Sequence, residues 1–262
     1  MKTVLVTGGA GGMGSAICRE LQNAGCRVFS MDLREAEIPG VSSICCDLTD
    51  VKSLETAAEE FKKQCSHLDG IVHAAGIYDL DALSEMDDAR FQRIFSVNVF
   101  GAYRVNRLFL PFMGAGGRVT VITSELAPLN PLPFTGIYAV TKAALDKYAY
   151  SLRSELALRD IRVTVIRPGA VKTGLLGVST RALEQFCANT KSFAPNAEHF
   201  RDIVNRVEAK SVGPEKIGVL AKKAQLGKHP RYVYSINRNF LLRLMSWLPD
   251  HFQVWVLKLI LK

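Results

Sequence analysis

The sequence predicts an α/β fold, a doubly wound parallel sheet in a single domain followed by an apolar, basic helical tail, and three observations lead there. Short apolar runs recur along the chain with helix-length segments between them. The runs are continuous, as in Val4-Leu5-Val6 and Val163-Thr164-Val165-Ile166, which is the pattern of strands covered on both faces. A glycine-rich turn closes the first run and opens a helix. Strand, helix, strand repeated in this way is Rossmann-like, and such sheets bind ligands at the carboxyl ends of their strands.

The first strand is expected over residues 2–7. It ends in Thr7-Gly8-Gly9-Ala10-Gly11-Gly12-Met13-Gly14, with a helix following over 15–24. Glycines there let the backbone turn tightly and approach a pyrophosphate, which sits on the free amides of the helix N-terminus. The second strand, 27–31, leads to Asp32, a carboxylate placed to accept hydrogen bonds from an adenosine ribose. Its charge opposes a 2′-phosphate and favours NAD over NADP. Arg34, two residues on, works in the other direction, because a guanidinium can hold a phosphate. The third strand, 41–45, runs on to Asp47, which reads either as a cofactor contact or as a turn and N-cap residue. Further strands are expected at 69–74, 117–123, 161–167 and 231–234. Long helices are expected at about 88–112 and 138–158, and another near Pro214. Residues 1–236 form one domain that includes a substrate lid at about 174–212, and 237–262 form the tail.

Composition excludes several classes. A chain of 262 residues, 48% hydrophobic and 22% charged, is long enough to bury a large core in one α/β domain. Met1-Lys2-Thr3 runs directly into the first apolar run, without a signal peptide's cleavage region, so a cytoplasmic protein is expected. Cysteines at 18, 26, 45, 46, 65 and 187 lack metal-ligand spacing, which predicts reduced thiols and no metal site.

Tyr138 and Lys142 carry the chemistry in "GIYAVTKAAL". Four residues apart on a helix, they share a face. A free phenol, with a pKa of about 10, is a poor base at neutrality. An ammonium roughly 6 Å away, in an effective dielectric of about 20, would stabilise phenolate by about 3 kcal/mol, or about 2 pK units. Tyr138 can then exchange a proton with an alcohol as hydride moves to or from a nicotinamide.

The pattern T-G-x-x-x-G-x-G over residues 7–14, Y-x-x-x-K at Tyr138 and Lys142, and P-G-x-x-x-T from Pro168 to Thr173 resembles the single-domain short-chain dehydrogenase/reductases. The motifs occur in order from residue 1 to about 235. That resemblance implies a dinucleotide held by Thr7, Gly8, Gly12, Met13, Gly14, Asp32, Asp47 and Leu48, with Asp47 contacting the adenine. Ala75, Gly76, Asn98, Tyr138, Lys142, Pro168, Gly169, Val171 and Thr173 would complete the cofactor site, with Val171 and Thr173 at the nicotinamide end. It implies a catalytic group of Asn98, Ser124, Tyr138 and Lys142, in which Ser124 fixes the substrate oxygen and Asn98 holds a water linking Lys142 to solvent. Where the family usually has Asn-Ala-Ala-Gly this chain has His73-Ala74-Ala75-Gly76, and His73 reads as a packing or hydrogen-bonding residue. A dinucleotide-binding sensor without catalysis would be expected to have lost Ser124, Tyr138 or Lys142, and all are present. The resemblance also implies a homo-oligomer paired through the two long helices.

Two regions bear on the substrate. The segment after the sixth strand carries Leu175, Leu176, Val178, Leu183, Phe186, Phe193, Phe200 and Ile203, too long for a plain connection. Leu183, Phe186 and Cys187 share a helix face, which serves either a ligand or packing on the core. Residues 201–262 hold 12 Lys and Arg against 4 acids, so the whole net charge of +8 lies there. Two apolar stretches, 240–248 and 252–261, are each too short to span a bilayer. With Trp247, Trp255 and flanking basic residues they read equally as helices lying on an anionic membrane surface or as a tail packed over the cleft or a partner subunit. Their aliphatic character argues against nucleic acid. Both regions, and a likeness of "LPFTGIY" and the tail to hydroxysteroid and retinoid dehydrogenases, point to a hydrophobic small-molecule alcohol or ketone. A dehydrogenase of small polar alcohols is the alternative.

Overall fold

In a computed structural model of the chain, residues 1–208 and 210–262 are described, together with all their side chains except those of 175–178, 207 and 208. The seven strands form one parallel sheet in the order β3-β2-β1-β4-β5-β6-β7. They are β1 (Thr3–Thr7), β2 (Arg27–Asp32), β3 (Val41–Cys45), β4 (Leu68–His73), β5 (Met113–Ile122), β6 (Arg162–Pro168) and β7 (Val233–Ile236). The chain winds outward from β1 in one direction and from β4 in the other. The crevice that ligands use in such sheets therefore opens above the carboxyl ends of β1 and β4.

Helices α1 (Gly12–Asn23) and α8 (Glu215–Leu226) cover one face of the sheet. Helices α2 (Val51–Gln64), α4 (Gly101–Phe109) and α5 (Gly136–Ala157) cover the other. Neighbouring residues of a strand point to opposite faces, so Val4 and Val6 pack on Ile17, Leu21 and Ile217 while Leu5 packs among Phe29, Phe61 and Phe109. Both sides are dry, which is why the strands read as unbroken apolar runs.

The expected long helix at 88–112 is interrupted. It divides into α3 (Asp88–Phe95), a widened π turn at Ser96–Phe100, α4 and a 3-10 turn at Leu110–Phe112. The widened turn points Asn98 into the interior, where it is 1% exposed. Strand β5 begins four residues earlier than expected because Met113 pairs with Leu68 before the chain makes an exposed excursion and rejoins at Arg118 opposite Gly70. Strand β7 lies two residues later than expected.

A third apolar cluster sits beyond the sheet ends and joins α6 (Gly174–Asn189) and α7 (Ala194–Glu208) to the loop before α5. Phe134, in left-handed backbone at φ 65°, is held there with its ring 4.6 Å from that of Phe186 and 5.3 Å from that of Phe200. Leu183 and Phe186 are buried in this cluster, so their shared helix face serves packing. Leu175, Leu176 and Val178, expected to contribute to the lid, lie outside the described side chains.

The tail forms α9 (Phe240–Met245) and α10 (Asp250–Ile260), separated at Pro249. Among the described residues, no helix is long and apolar enough to cross a membrane and no cluster has the makings of a metal site.

Candidate active site

Backbone geometry builds the first part of the site. Gly8 takes φ 71°, and a Cβ there would lie 2.6 Å from the Cα of Ala75, so the turn after β1 interlocks with the turn after β4. Thr7 Oγ1 accepts from the Ala75 amide at 3.3 Å across the same junction. The amides of Gly12, Met13 and Gly14 open α1, where first-turn donors have no acceptor within the helix. Asp32 ends β2 beside this turn: Oδ2 accepts from the Ala10 amide at 3.0 Å and Oδ1 from the Leu33 amide at 2.7 Å. Arg34 Nη2 reaches Ala10 O at 3.5 Å. A glycine turn of bare amides with a carboxylate at its edge fits a dinucleotide, whose pyrophosphate takes the amides and whose ribose takes the carboxylate.

Asp47 Oδ1 accepts from both Thr49 N, at 2.8 Å, and Thr49 Oγ1, at 2.7 Å, so it closes a turn. The N-cap of α2 is Asp50 instead. Leu48 is buried with its side chain against Gly101, and its carbonyl accepts from Arg104.

Ser124 follows β5, and Tyr138 and Lys142 occupy the first turns of α5. The Ser124 hydroxyl lines the cleft with the Tyr138 phenol and favours its ionised form. Lys142 Nζ lies 5.7 Å from the Tyr138 ring centroid and donates to the Ile122 carbonyl at 3.3 Å. Burial pushes Tyr138 up to about 12, only partly opposed by Ser124, and lowers Lys142 to about 8. The expected lowering of Tyr138 by the neighbouring ammonium is therefore not found. The same low-dielectric surroundings penalise both charged forms, and desolvation is the largest cause for each.

Asn98 braces the site. Its Oδ1 accepts from Ile77 N at 2.8 Å, and its Nδ2 donates to Ile77 O at 3.0 Å and Thr141 Oγ1 at 3.1 Å. A Cβ on Gly76 would lie 3.3 Å from both Asn98 Oδ1 and Lys142 Nζ, so Gly76 lies between those two groups. His73 is buried, bonded through Nε2 to Asn106 at 2.9 Å, and lowered to about 4 by burial. Asn106 goes on to Tyr148, away from Tyr138.

The segment after β6 crosses the glycine turn. A Cβ on Gly12 would come within 2.7 Å of Thr173 Cβ, and Val171 forms a parallel bridge with Val212. One cleft of about 460 Å³ brings together Met13, Gly76, Ser124, Tyr138, Lys142, Pro168, Gly169, Val171 and Thr173. Thr7, Gly8, Gly12, Gly14, Asp32, Asp47, Leu48, Ala75 and Asn98 stand outside its lining, on the glycine turn, at the β2 and β3 ends or behind the wall.

Two lining residues lie outside the sequence expectations: Tyr78 sets its ring 4.8 Å from that of Tyr138, and Glu125 follows Ser124. Leu241, Leu242, Met245, Leu257 and Ile260 come from the tail, in line with its expected packing over the cleft. Their sequence distance from the motifs, up to 136 positions between Ser124 and Ile260, hides the contact. The apolar tail pattern was the one available signal.

Comparisons with known proteins agree with this geometry. The family described as short chain dehydrogenase matches residues 2–183. A 3-ketodihydrosphingosine reductase of Bacteroides thetaiotaomicron is 23% identical over 261 residues, covering 98% of this chain and 96% of the relative. Estradiol 17-beta-dehydrogenase 2 of Mus musculus is 30% identical over 190 residues, 67% of this chain and 50% of its own. A solved short chain dehydrogenase family protein of Francisella tularensis superposes with a TM-score of 0.74 at 23% identity, covering 90% of this chain and 97% of that one, and shares the fold. The chain belongs to the short-chain dehydrogenase family. It is an NAD(P)-dependent dehydrogenase or reductase.

Proposed function

We propose that the protein interconverts a secondary alcohol and a ketone on a lipophilic substrate, with Tyr138 giving and taking the proton. The observation that carries this reading is a cleft whose floor holds Ser124, Tyr138 and Lys142 and whose walls are apolar side chains of α7, α9 and α10. A bound nicotinamide dinucleotide supplies or accepts the hydride. Burial keeps Tyr138 a phenol at neutral pH, which suits it as the proton donor of ketone reduction. Lys142, with a pKa of about 8, stays mostly cationic there and offsets the charge left on the phenol oxygen as its proton departs. Ser124, in the same cleft lining as the phenol, fixes the oxygen that receives the proton. Asn98 positions α5 against the Ile77 backbone. Asp32 at the edge of the glycine turn supports NAD over NADP. Relatives named for a ketodihydrosphingosine and an estradiol support a hydrophobic substrate.

The tail supports a companion reading, contact with an anionic membrane surface. Leu242, Met245 and Leu257 turn inward to the cleft, while Phe240 is 71% exposed, Trp247 69% and Trp255 57%. Arg243 and Lys258 stand among these outward rings, and anionic headgroups complement the tail's surplus of positive charge.

The test of the reaction is NADH consumption or NAD reduction with hydroxysteroids and long-chain ketones set beside short polar alcohols and sugars. Turnover of the lipophilic compounds is expected. Turnover confined to the polar ones overturns the substrate reading, and silence despite dinucleotide binding overturns the use of Tyr138.

A further inference from the structure

Glu125 sets a carboxylate in an otherwise apolar part of the cleft, one residue beyond Ser124. It is 9% exposed, and it is the one carboxylate among the described lining residues. Three strand ends surround it. The backbone after β5 carries it, Glu125 N donates to Pro168 O at 2.8 Å, and a Cβ on Gly169 would lie 2.8 Å from its Oε1. From the β7 side, the Asn239 amide donates to Oε2 at 2.6 Å. An ionised carboxylate offers about four acceptor positions, so the Asn239 amide leaves capacity on the cleft side. Burial raises its pKa, with Arg238 and the Asn239 amide opposing. Taking a carboxylate out of water is costly unless a cation or several donors meet it. The other ionisable groups of the lining are Tyr78 and Tyr138, whose rings stand together, Lys142 beside them and the exposed Arg206.

We propose that Glu125 recognises a cationic amine carried by the substrate close to the carbon that exchanges hydride, so that the preferred lipophile is an amino ketone or amino alcohol. This rests on the reading of the cleft as a lipophilic ketone site. Ser124 and Glu125 line the same cleft, so a molecule whose oxygen meets Ser124 can turn a substituent on the next carbon toward the Glu125 carboxylate. The amine adds a direct cationic partner to the Asn239 amide and the Arg238 charge that already act on the carboxylate, and the alkyl or ring body takes the inner faces of α9 and α10. Recognition and tail placement share one group, because the carboxylate that meets the amine also holds the N-terminus of α9.

The experiment compares three ketones of equal chain length on the full chain: an unsubstituted long-chain ketone, its α-hydroxy counterpart and its α-amino counterpart, each with NADH. In the wild type, kcat/KM for the amino ketone is expected to exceed that of the unsubstituted ketone by about tenfold or more. Glu125→Gln keeps an acceptor for the Asn239 amide and removes the charge. It should reduce that ratio by about 30-fold, as loss of a buried charge partner does. The readout is a ratio within each protein, so a general change in activity cancels. A second measurement needs no variant: a long-chain primary amine should inhibit competitively at least about tenfold better than the alcohol of the same length. Equal efficiencies in the wild type, an unaltered ratio in Glu125→Gln, or equal inhibition by amine and alcohol each overturn the assignment to Glu125 while leaving the ketone reading intact. No turnover of any of the three ketones, with dinucleotide binding preserved, overturns both.

Discussion

Lys142 Nζ donates to the carbonyl of Ile122, the last residue of β5, and at the same time stands 5.7 Å from the ring of Tyr138. The ammonium is thus fixed by the same strand end that delivers Ser124, two residues later. Distances among the reacting groups are set by the sheet and not by a flexible loop, which is the arrangement that proton transfer within one turnover requires.

Tyr138→Phe should lower turnover by about 10²-fold or more, the scale of a lost general acid, while leaving dinucleotide binding close to wild type. Steady-state rates together with calorimetric titration of NADH check this. Full turnover in the variant would remove Tyr138 from the proton path.

Lys142 titrates at about 8 in the folded chain against 10.5 for the ordinary group. Between those values the unfolded chain holds more protons, so this residue's contribution makes stability rise with pH through that window. Lys142→Met should raise the melting temperature at neutral pH, by a free energy on the order of 1–3 kcal/mol, and flatten that rise relative to wild type, even as activity is lost. Ketone reduction by the wild type should decline as pH climbs past about 8, when the cation beside Tyr138 is discharged. A melting temperature lower in the variant would mean that the ammonium is stabilised by more than its bond to Ile122.

Asp32→Asn retains an acceptor for the Ala10 amide and removes the charge facing the ribose. We expect weaker preference for NADH over NADPH by about tenfold, read from the two kcat/KM values. An unchanged preference would detach cofactor choice from Asp32 and direct attention to Arg34.

Gly8→Ala introduces a Cβ 2.6 Å from Ala75 Cα at a backbone angle of 71°. The expected loss is about 2–4 kcal/mol of stability with weakened dinucleotide binding, measured by urea unfolding and titration. Wild-type stability would mean the two turns can separate without consequence.

Trp247→Ser together with Trp255→Ser should abolish flotation with vesicles of anionic phospholipid and leave turnover of a water-dispersed ketone unaffected, since both indoles face outward. Flotation at wild-type levels would remove the membrane reading. A shift in oligomeric state instead would assign the outer face to a subunit contact.

Much of the fold was legible because its signals are local. An apolar run covered on both faces, a glycine turn into a helix, and Tyr138 with Lys142 on one helix face each need only neighbouring residues to be recognised. What stayed hidden depends on distant parts of the chain. The widened turn that aims Asn98 inward lies within a helical pattern, and its bonds go to Ile77 and Thr141. Tyr138 was expected to be acidified by Lys142, but burial determines the direction, and burial depends on the whole cleft. The spacing of Leu183 and Phe186 fits both ligand and core, and the rings of Phe134 and Phe200, distant in the chain, make it core. The tail's two readings were incomplete alternatives, since one side of α9 and α10 walls the cleft and the other is bare.

The excursion of β5 over residues 114–117 offers a practical handle. Gly114, Ala115 and Gly116 are exposed and lie at the amino end of the strand, whereas the cleft opens at the carboxyl end. Exposed loop tips of small residues are where inserted sequence is best tolerated. A short peptide tag placed at Ala115 therefore leaves the glycine turn, Tyr138 and the tail helices untouched. The protein can then be tethered to a sensor surface by the amino end of its strands, opposite the cleft, with the tail left facing the solution for vesicles or lipophilic ligands to be flowed over it.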